Sequence, residues 1–352
     1  MNDQLRRLLV ATTFAATIFS PTSYADFESD LLLFPFVEAN YLSGLSADSI
    51  RDSNDNDYGL NIFGAAENGN FVFLGEALIA KDEQELERLQ VGMRFGDGKV
   101  WLGRFHNPIG YWNTQFHHGA YLQNSASRPA IVEYEDDDGV LPMHLTGLLI
   151  EGIKENDGHG LGYAFALALG PELSDSLEPL DVLEPTSGSQ GLALALNLFH
   201  QPDVYGPTQL GLFANYTEIP AEDRGYDEIR QTIAGGYGNW ESDPWRVLGT
   251  AFSVRNRLDQ GGVTESEEYV FAYLQVERRL DVRGTIVGRA ETGSGDDNDA
   301  YLALFPDHIE DKILGAVRLN VWERHSLTLE ISNIHAREDR YRELTLQWAA
   351  VF

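Results

Sequence analysis

The sequence predicts an all-β fold, a closed antiparallel transmembrane β-barrel of about 16 strands, and three observations predict it. Apolar and polar residues alternate at period two through most of the chain after residue 26, the pattern of strands with one apolar and one polar face. The segments joining these runs alternate between tight turns rich in Asn, Asp and Gly and longer, acidic stretches. An export signal stands ahead of the first run.

That signal occupies residues 1–25. Arg6 and Arg7 precede an apolar stretch from Leu8 to Phe19, and small residues follow at Ser23 and Ala25. The stretch is too short for a spanning helix, which needs ~20 residues, and nothing later in the chain supplies one. An exported chain of this kind is either a soluble β-protein or a barrel, because only helices and closed barrels satisfy their backbone polar groups within a membrane.

The period-two runs place strands at 31–40, 57–66, 69–80, 84–96, 98–106, 142–153, 160–169, 190–200, 207–217, 227–239, 244–255, 266–278, 282–292, 309–321, 325–335 and 341–352. In the last of these Leu344, Leu346 and Trp348 share one face, while Glu343, Thr345 and Gln347 share the other. In 309–321 Ile313, Val317 and Leu319 lie opposite Lys312, Arg318 and Asn320. Tight turns are expected at 68–69, 96–98, 156–158, 239–243, 279–281 and 322–324, and long links at 43–56, 107–141, 171–189, 218–226, 256–265 and 293–307. Short turns at one rim and long loops at the other are the barrel asymmetry, the short turns periplasmic and the long loops extracellular. A soluble sandwich or propeller would also alternate, but has no reason to alternate its loop lengths. Residues 26–352 form one domain, since every strand is needed to close the ring.

Composition excludes several classes. The 352 residues carry 25 Lys and Arg against 55 Asp and Glu, a formal charge of -30, so a nucleic-acid partner is not expected. With no cysteine there is no disulfide framework and no thiol chemistry.

Export, the lack of cysteine and a terminal strand ending in Phe352 together resemble the outer-membrane porins of Gram-negative bacteria. Segment 101–110, in which Gly103, Arg104 and Phe105 are followed by Pro108 and Gly110, is similar to the strand-to-loop passage of the phosphate-selective-type porins. The resemblance implies an outer-membrane location, a passive diffusion channel for small polar or charged solutes, contacts with lipid and lipopolysaccharide, a homotrimer, no cofactor and no enzymatic activity. The chain departs from the phosphate-selective pattern in having only four lysines and no basic ladder, so phosphate is not carried over.

The link 107–141 is the third long loop, and its length demands a role. In porins that loop folds inward and narrows the pore. Trp112, Phe116, Tyr121 and Tyr134 can pack it on the wall, while Glu133, Glu135, Asp136, Asp137 and Asp138 form a dense acidic stretch that would favour cations at a constriction. The other reading is a solvated acidic loop at the cell surface. Arg104, Arg230, Arg255, Arg283, Arg289 and Arg318 fall at positions read as lumenal, and would form a basic wall facing that stretch, or pair with neighbouring carboxylates as Arg289 and Glu291 can.

His106, His117, His118 and His144 cluster in and around the loop, a candidate set for a divalent metal. Adjacent His117 and His118 point to opposite sides of an extended segment, so the pattern favours packing and hydrogen bonding over a metal. The Asp/Asn-rich stretches 52–57 and 293–299 have calcium-loop composition without the full ligand spacing. Three functions compete: a diffusion channel, a barrel enzyme or metal-binding protein built on the His-rich segment 106–144 with Ser125, and a soluble glycan-binding β-protein. The channel is the reading the sequence favours.

Overall fold

The computed structural model describes residues 28–45, 54–81, 84–116, 119–135, 139–180, 182, 190–295, 299–337 and 339–352. Residues 1–25, read above as an export signal, His117, His118 and Asp136 to Asp138 lie outside the described residues, as do parts of 52–57 and 293–299.

Sixteen strands close one antiparallel ring, each paired with its chain neighbour. They are β1 (Glu28–Ser43), β2 (Asn54–Asn68), β3 (Phe71–Ala80), β4 (Gln84–Phe95), β5 (Gly98–His106), β6 (His144–Asn156), β7 (His159–Leu169) and β8 (Leu192–Gln201) in the first half. The second half comprises β9 (Gln209–Pro220), β10 (Glu228–Ser242), β11 (Trp245–Gln260), β12 (Val263–Arg279), β13 (Gly284–Ser294), β14 (Ile309–Trp322), β15 (His325–Ala336) and β16 (Arg340–Ala350). The ring closes where β1 pairs β16, from Phe36 opposite Ala349 to Ser43 opposite Arg342. Leu33 and Phe352 extend that seam by exchanging two backbone hydrogen bonds of 3.0 Å, so the terminal aromatic residue is part of the closure.

The period-two pattern becomes an outside and an inside. Leu344 and Leu346 of β16, Leu329 and Ile331 of β15 and Ile313, Val317 and Leu319 of β14 are exposed on the outer face. Their neighbours Thr345, Gln347, Thr328, Glu330, Ser332, Lys312 and Arg318 are buried inside the ring. An exposed apolar band around a polar interior is stable only against lipid. No helix among the described residues is long and apolar enough to cross a membrane; a barrel crosses with its strands.

The turns follow local chemistry. Asp157 and Gly158 both take positive φ, 51° and 82°, giving a two-residue hairpin whose twist matches its strands. The expected long link at 256–265 is instead mostly strand. Gly261 and Gly262, at φ 57° and 85°, close β11 to β12 in two residues, because consecutive glycines supply the hairpin geometry without steric cost.

Candidate pore site and the inward-folded loop

The long loop between β5 and β6 leaves the wall at Asn107 and returns at Met143, where the Asn107 N–H donates to the Met143 carbonyl at 2.7 Å. Buried Asn113 ties the root by donating to the Asn107 carbonyl at 2.8 Å and the Met143 carbonyl at 3.2 Å. Gly110, at φ 71°, turns the chain into a short helix, α1 (Gly110–Gln115), and faces Phe252 and Thr250 of β11 so closely that a side chain there would touch both. The loop therefore crosses the lumen to the opposite wall.

What it meets there is apolar. Ile109, Trp112, Ile131, Val132, Val140, Leu141 and Met143 of the loop form one buried cluster with Ile229, Ile233, Leu248, Phe252, Val254, Leu258 and Phe271 of β10 to β12. Tyr301 and Phe305, from the link between β13 and β14, join it. Each fully buried apolar side chain contributes about 1.5–3 kcal/mol relative to exposure. The loop is a packed plug in this half of the barrel, not a surface excursion.

This packing explains two corrections to the basic wall, and the turn before β13 makes a third. On β10 and β11 the inward positions are the apolar ones that receive the loop, so Arg230 and Arg255 take the opposite phase. Arg230 pairs with Asp259 and Arg255 with exposed Glu268 on the outer side of the strands. Arg283 sits in the exposed turn before β13, at the short-turn rim. Arg104, Arg289 and Arg318 are buried, and Arg104 is engaged by Glu85.

Polar anchors take over from the apolar plug along β12 to β16. Asn124 donates to Glu277 at 2.6 Å, and Arg318 to the Gln123 carbonyl. The backbone N–H of Ala126 donates to Glu330 at 2.9 Å, and that of Ala130 to Glu291 at 2.7 Å. Arg289 gathers the tip: it donates to Ser125 Oγ and the Ser127 carbonyl, each at 3.1 Å, and to the Arg128 carbonyl at 2.7 Å, while its Nε holds Glu291 at 2.7 Å. Ser125, the nucleophile an enzyme reading would use, spends its hydroxyl donation on the Ser127 carbonyl at 3.0 Å.

Two cavities flank the seated loop. One of about 540 Å³ reaches the turn residues Gly96 to Gly98 and is lined by Arg88, Arg94, Lys99, Glu151 and Thr114 of α1. The other, about 440 Å³, lies between the loop and the wall of β1, β2, β14 and β16. Its charged lining is Glu38, Asp57, Glu133, Asp307 and Glu343 against Arg128 and Lys312, so carboxylates outnumber cations five to two. Of the predicted acidic stretch, Glu133 lines this cavity, 3.8 Å from Arg128. Glu135 is buried beside β6, accepting from the N–H groups of Met143 at 2.7 Å and His144 at 2.9 Å, with its Oε2 2.6 Å from His144 Nδ1. Glu38, Asp57, Asp307 and Glu343 carried no distinguishing signal in the sequence, since each is one acidic residue among many.

His106 and His144 face each other directly across β5 and β6, ring centroids 5.3 Å apart. Glu87 of β4 joins them, its Oε2 2.9 Å from His144 Nε2. The structure thus unites two of the four predicted histidines with a carboxylate that sequence reasoning missed.

A closed ring of 16 antiparallel strands matches the fold of outer-membrane porins, and here the link between β5 and β6 folds into the lumen. No protein-family model and no curated protein matches the chain. Solved structures match it in fold: the outer membrane channel DcaP of Acinetobacter baumannii has a TM-score of 0.61 at 11% identity, with 94% of this chain and 99% of that chain covered. The anion-selective porin from Comamonas acidovorans has a TM-score of 0.61 at 13% identity, covering 93% and 100%. OmpF of Salmonella typhi, solved with daunomycin, has a TM-score of 0.60 at 10% identity, covering 92% and 97%.

Proposed function

We propose that this protein is an outer-membrane diffusion channel for small polar or charged solutes, with a preference for cations, and not an enzyme. The observation that carries the proposal is the acidic cavity of about 440 Å³ beside the seated loop. The apolar plug fills the β10 to β12 side, so a solute passes on the side where Glu38, Glu133 and Glu343 face Arg128 and Lys312. Carboxylates in excess at a narrow, low-dielectric passage concentrate cations, and the two basic groups opposite them set a transverse field that orients dipolar solutes. The basic wall is accordingly Arg128 and Lys312, while Arg289 and Arg318 hold the loop.

The apolar outer face meets lipid, and the acidic extracellular loops suit divalent-ion bridges to lipopolysaccharide. A homotrimer is the assembly proposed; one neighbour of the same fold, OmpT of Vibrio cholerae, is described in a trimer form, at a TM-score of 0.60 and 9% identity.

Liposome swelling with size-matched cationic, neutral and anionic amino acids tests the reading. Faster entry of the cationic solute is expected; equal rates for all three would remove the cation preference, and no swelling with an inserted barrel would remove the channel.

A further inference from the structure

The cluster beneath the root of the loop has the form of a metal centre. Glu87, His106 and His144 come from three adjacent strands, and each offers one ligand atom such that all three atoms lie within 4.8 Å of one another. All three side chains are buried, so their positions are set by packing and not by solvent. We infer that Glu87, His106 and His144 bind a borderline divalent transition cation such as Zn²⁺, with Glu135 of the inward loop as the group that orients His144.

The donor set is what that class of ion takes: two imidazole nitrogens and one carboxylate, with a fourth position left for water. Hard cations such as Ca²⁺ and Mg²⁺ need six or more oxygens and find too few here. The outer partner is present as well. Glu135 Oε2 sits 2.6 Å from His144 Nδ1, which leaves Nε2, the nitrogen 2.9 Å from Glu87, turned toward the centre. A carboxylate, histidine and metal in series is the usual way a protein fixes the tautomer and orientation of a histidine ligand. Glu135 is held in place by two backbone N–H groups at the end of the loop, so it is positioned by the fold. An entry path exists, because His106 lines the cavity of about 540 Å³ that reaches the short-turn rim. The site therefore links three wall strands to the loop, and occupancy stiffens the loop's return to β6.

The test uses purified, tag-free barrel in detergent, stripped with chelator, and the probes are Co²⁺ and Zn²⁺. Co²⁺ is expected to bind at one equivalent per chain, with the strong visible absorption of a four-coordinate nitrogen and oxygen site, and one equivalent of Zn²⁺ displaces it. Glu87→Gln and His106→Gln abolish the absorption, whereas Glu135→Gln weakens binding at least tenfold. His200→Gln, which alters the surface pair His159 and His200, leaves it unchanged. The wild-type spectrum needs no variant to fold: only weak octahedral absorption, or stoichiometry that follows His200 and not His106, overturns the proposal and leaves His144 as a histidine bridging two glutamates. Because binding is read without conductance, its failure is separate from failure of the channel reading.

Discussion

Arg289 on β13 donates to the backbone carbonyl of Arg128, 161 residues earlier in the chain, at 2.7 Å. The same guanidinium holds Glu291, and both side chains are fully shielded from solvent. This planar cation joins Glu277, Glu330 and Arg318 in fixing the tip of the inward loop to the wall. The acidic cavity is shaped by that seat, since Arg128 and Glu133 line it from the stretch of loop that Arg289 anchors.

Arg289→Met is expected to loosen the tip, which Glu277, Glu330 and Arg318 still hold. Breaking a buried, hydrogen-bonded ion pair costs ~3–5 kcal/mol, and the apolar plug on β10 to β12 still holds the rest of the loop. Single-channel recording should show larger and noisier openings, with barrel formation intact by heat-modifiable migration. Unchanged conductance and noise would mean that the tip does not limit the passage.

Selectivity is expected to follow Glu133 and Glu343. A carboxylate about 4 Å from a passing ion contributes ~1 kcal/mol in water, so the double change Glu133→Gln and Glu343→Gln lowers the cation-to-anion permeability ratio several-fold at low salt, and less at high salt. Burial raises the Glu133 carboxyl above its usual value against the opposing pull of Arg128 and Lys312. Selectivity should accordingly begin to fall, as pH decreases, at a higher pH than an ordinary glutamate sets, and that step should be smaller in Glu133→Gln. Reversal potentials across a pH series read both effects.

The outer face gives a prediction independent of the pore. Ile331 is 59% exposed on β15 among apolar neighbours, while adjacent Ser332 is buried inside. Ile331→Arg puts a charge into lipid and is expected to cost ~2–4 kcal/mol if the position lies near the bilayer midplane. Urea unfolding from vesicles measures this, and a cost below about 1 kcal/mol would place Ile331 away from the hydrocarbon.

His308, in the link before β14, is buried against Tyr269 and Phe271, with ring centroids 6.5 and 6.3 Å away. Burial first, and the charge of Arg337 second, push its imidazole down to about 4. The unfolded chain takes up the proton near 6.5 while the folded one resists it, so this group's effect on stability is absent above pH ~6.5 and grows unfavourable as pH falls toward 4. His308→Phe should flatten that part of the acid limb in thermal denaturation; an unchanged slope would show that His308 does not contribute to it.

The ring was legible because strand alternation is a local property. All sixteen strands overlap the runs that period two marked out, although β11 and β12 continue through the expected link 256–265, and Leu344, Leu346 and Ile331 carried the outer face as expected. The lumen was legible only in part, because its polarity depends on what fills it. Ile229, Ile233, Val254 and Leu258 face inward to receive Ile131, Val140 and Leu141, so a rule that assigns polar residues to the inside puts Arg230 and Arg255 on the wrong face. Glu87 sits in the charged run Gln84 to Arg88 and becomes distinct only where β4 passes β5 and β6, a juxtaposition that no spacing encodes. Glu133 and Glu135, two residues apart, look alike in sequence; one lines the cavity and the other holds His144.

The most direct test of the channel is planar-bilayer recording of the purified protein in a potassium chloride gradient. Discrete conductance steps with a reversal potential displaced toward the potassium equilibrium potential are expected. A correctly folded barrel that conducts nothing, or one whose reversal potential lies toward chloride, would contradict an acidic passage beside the seated loop.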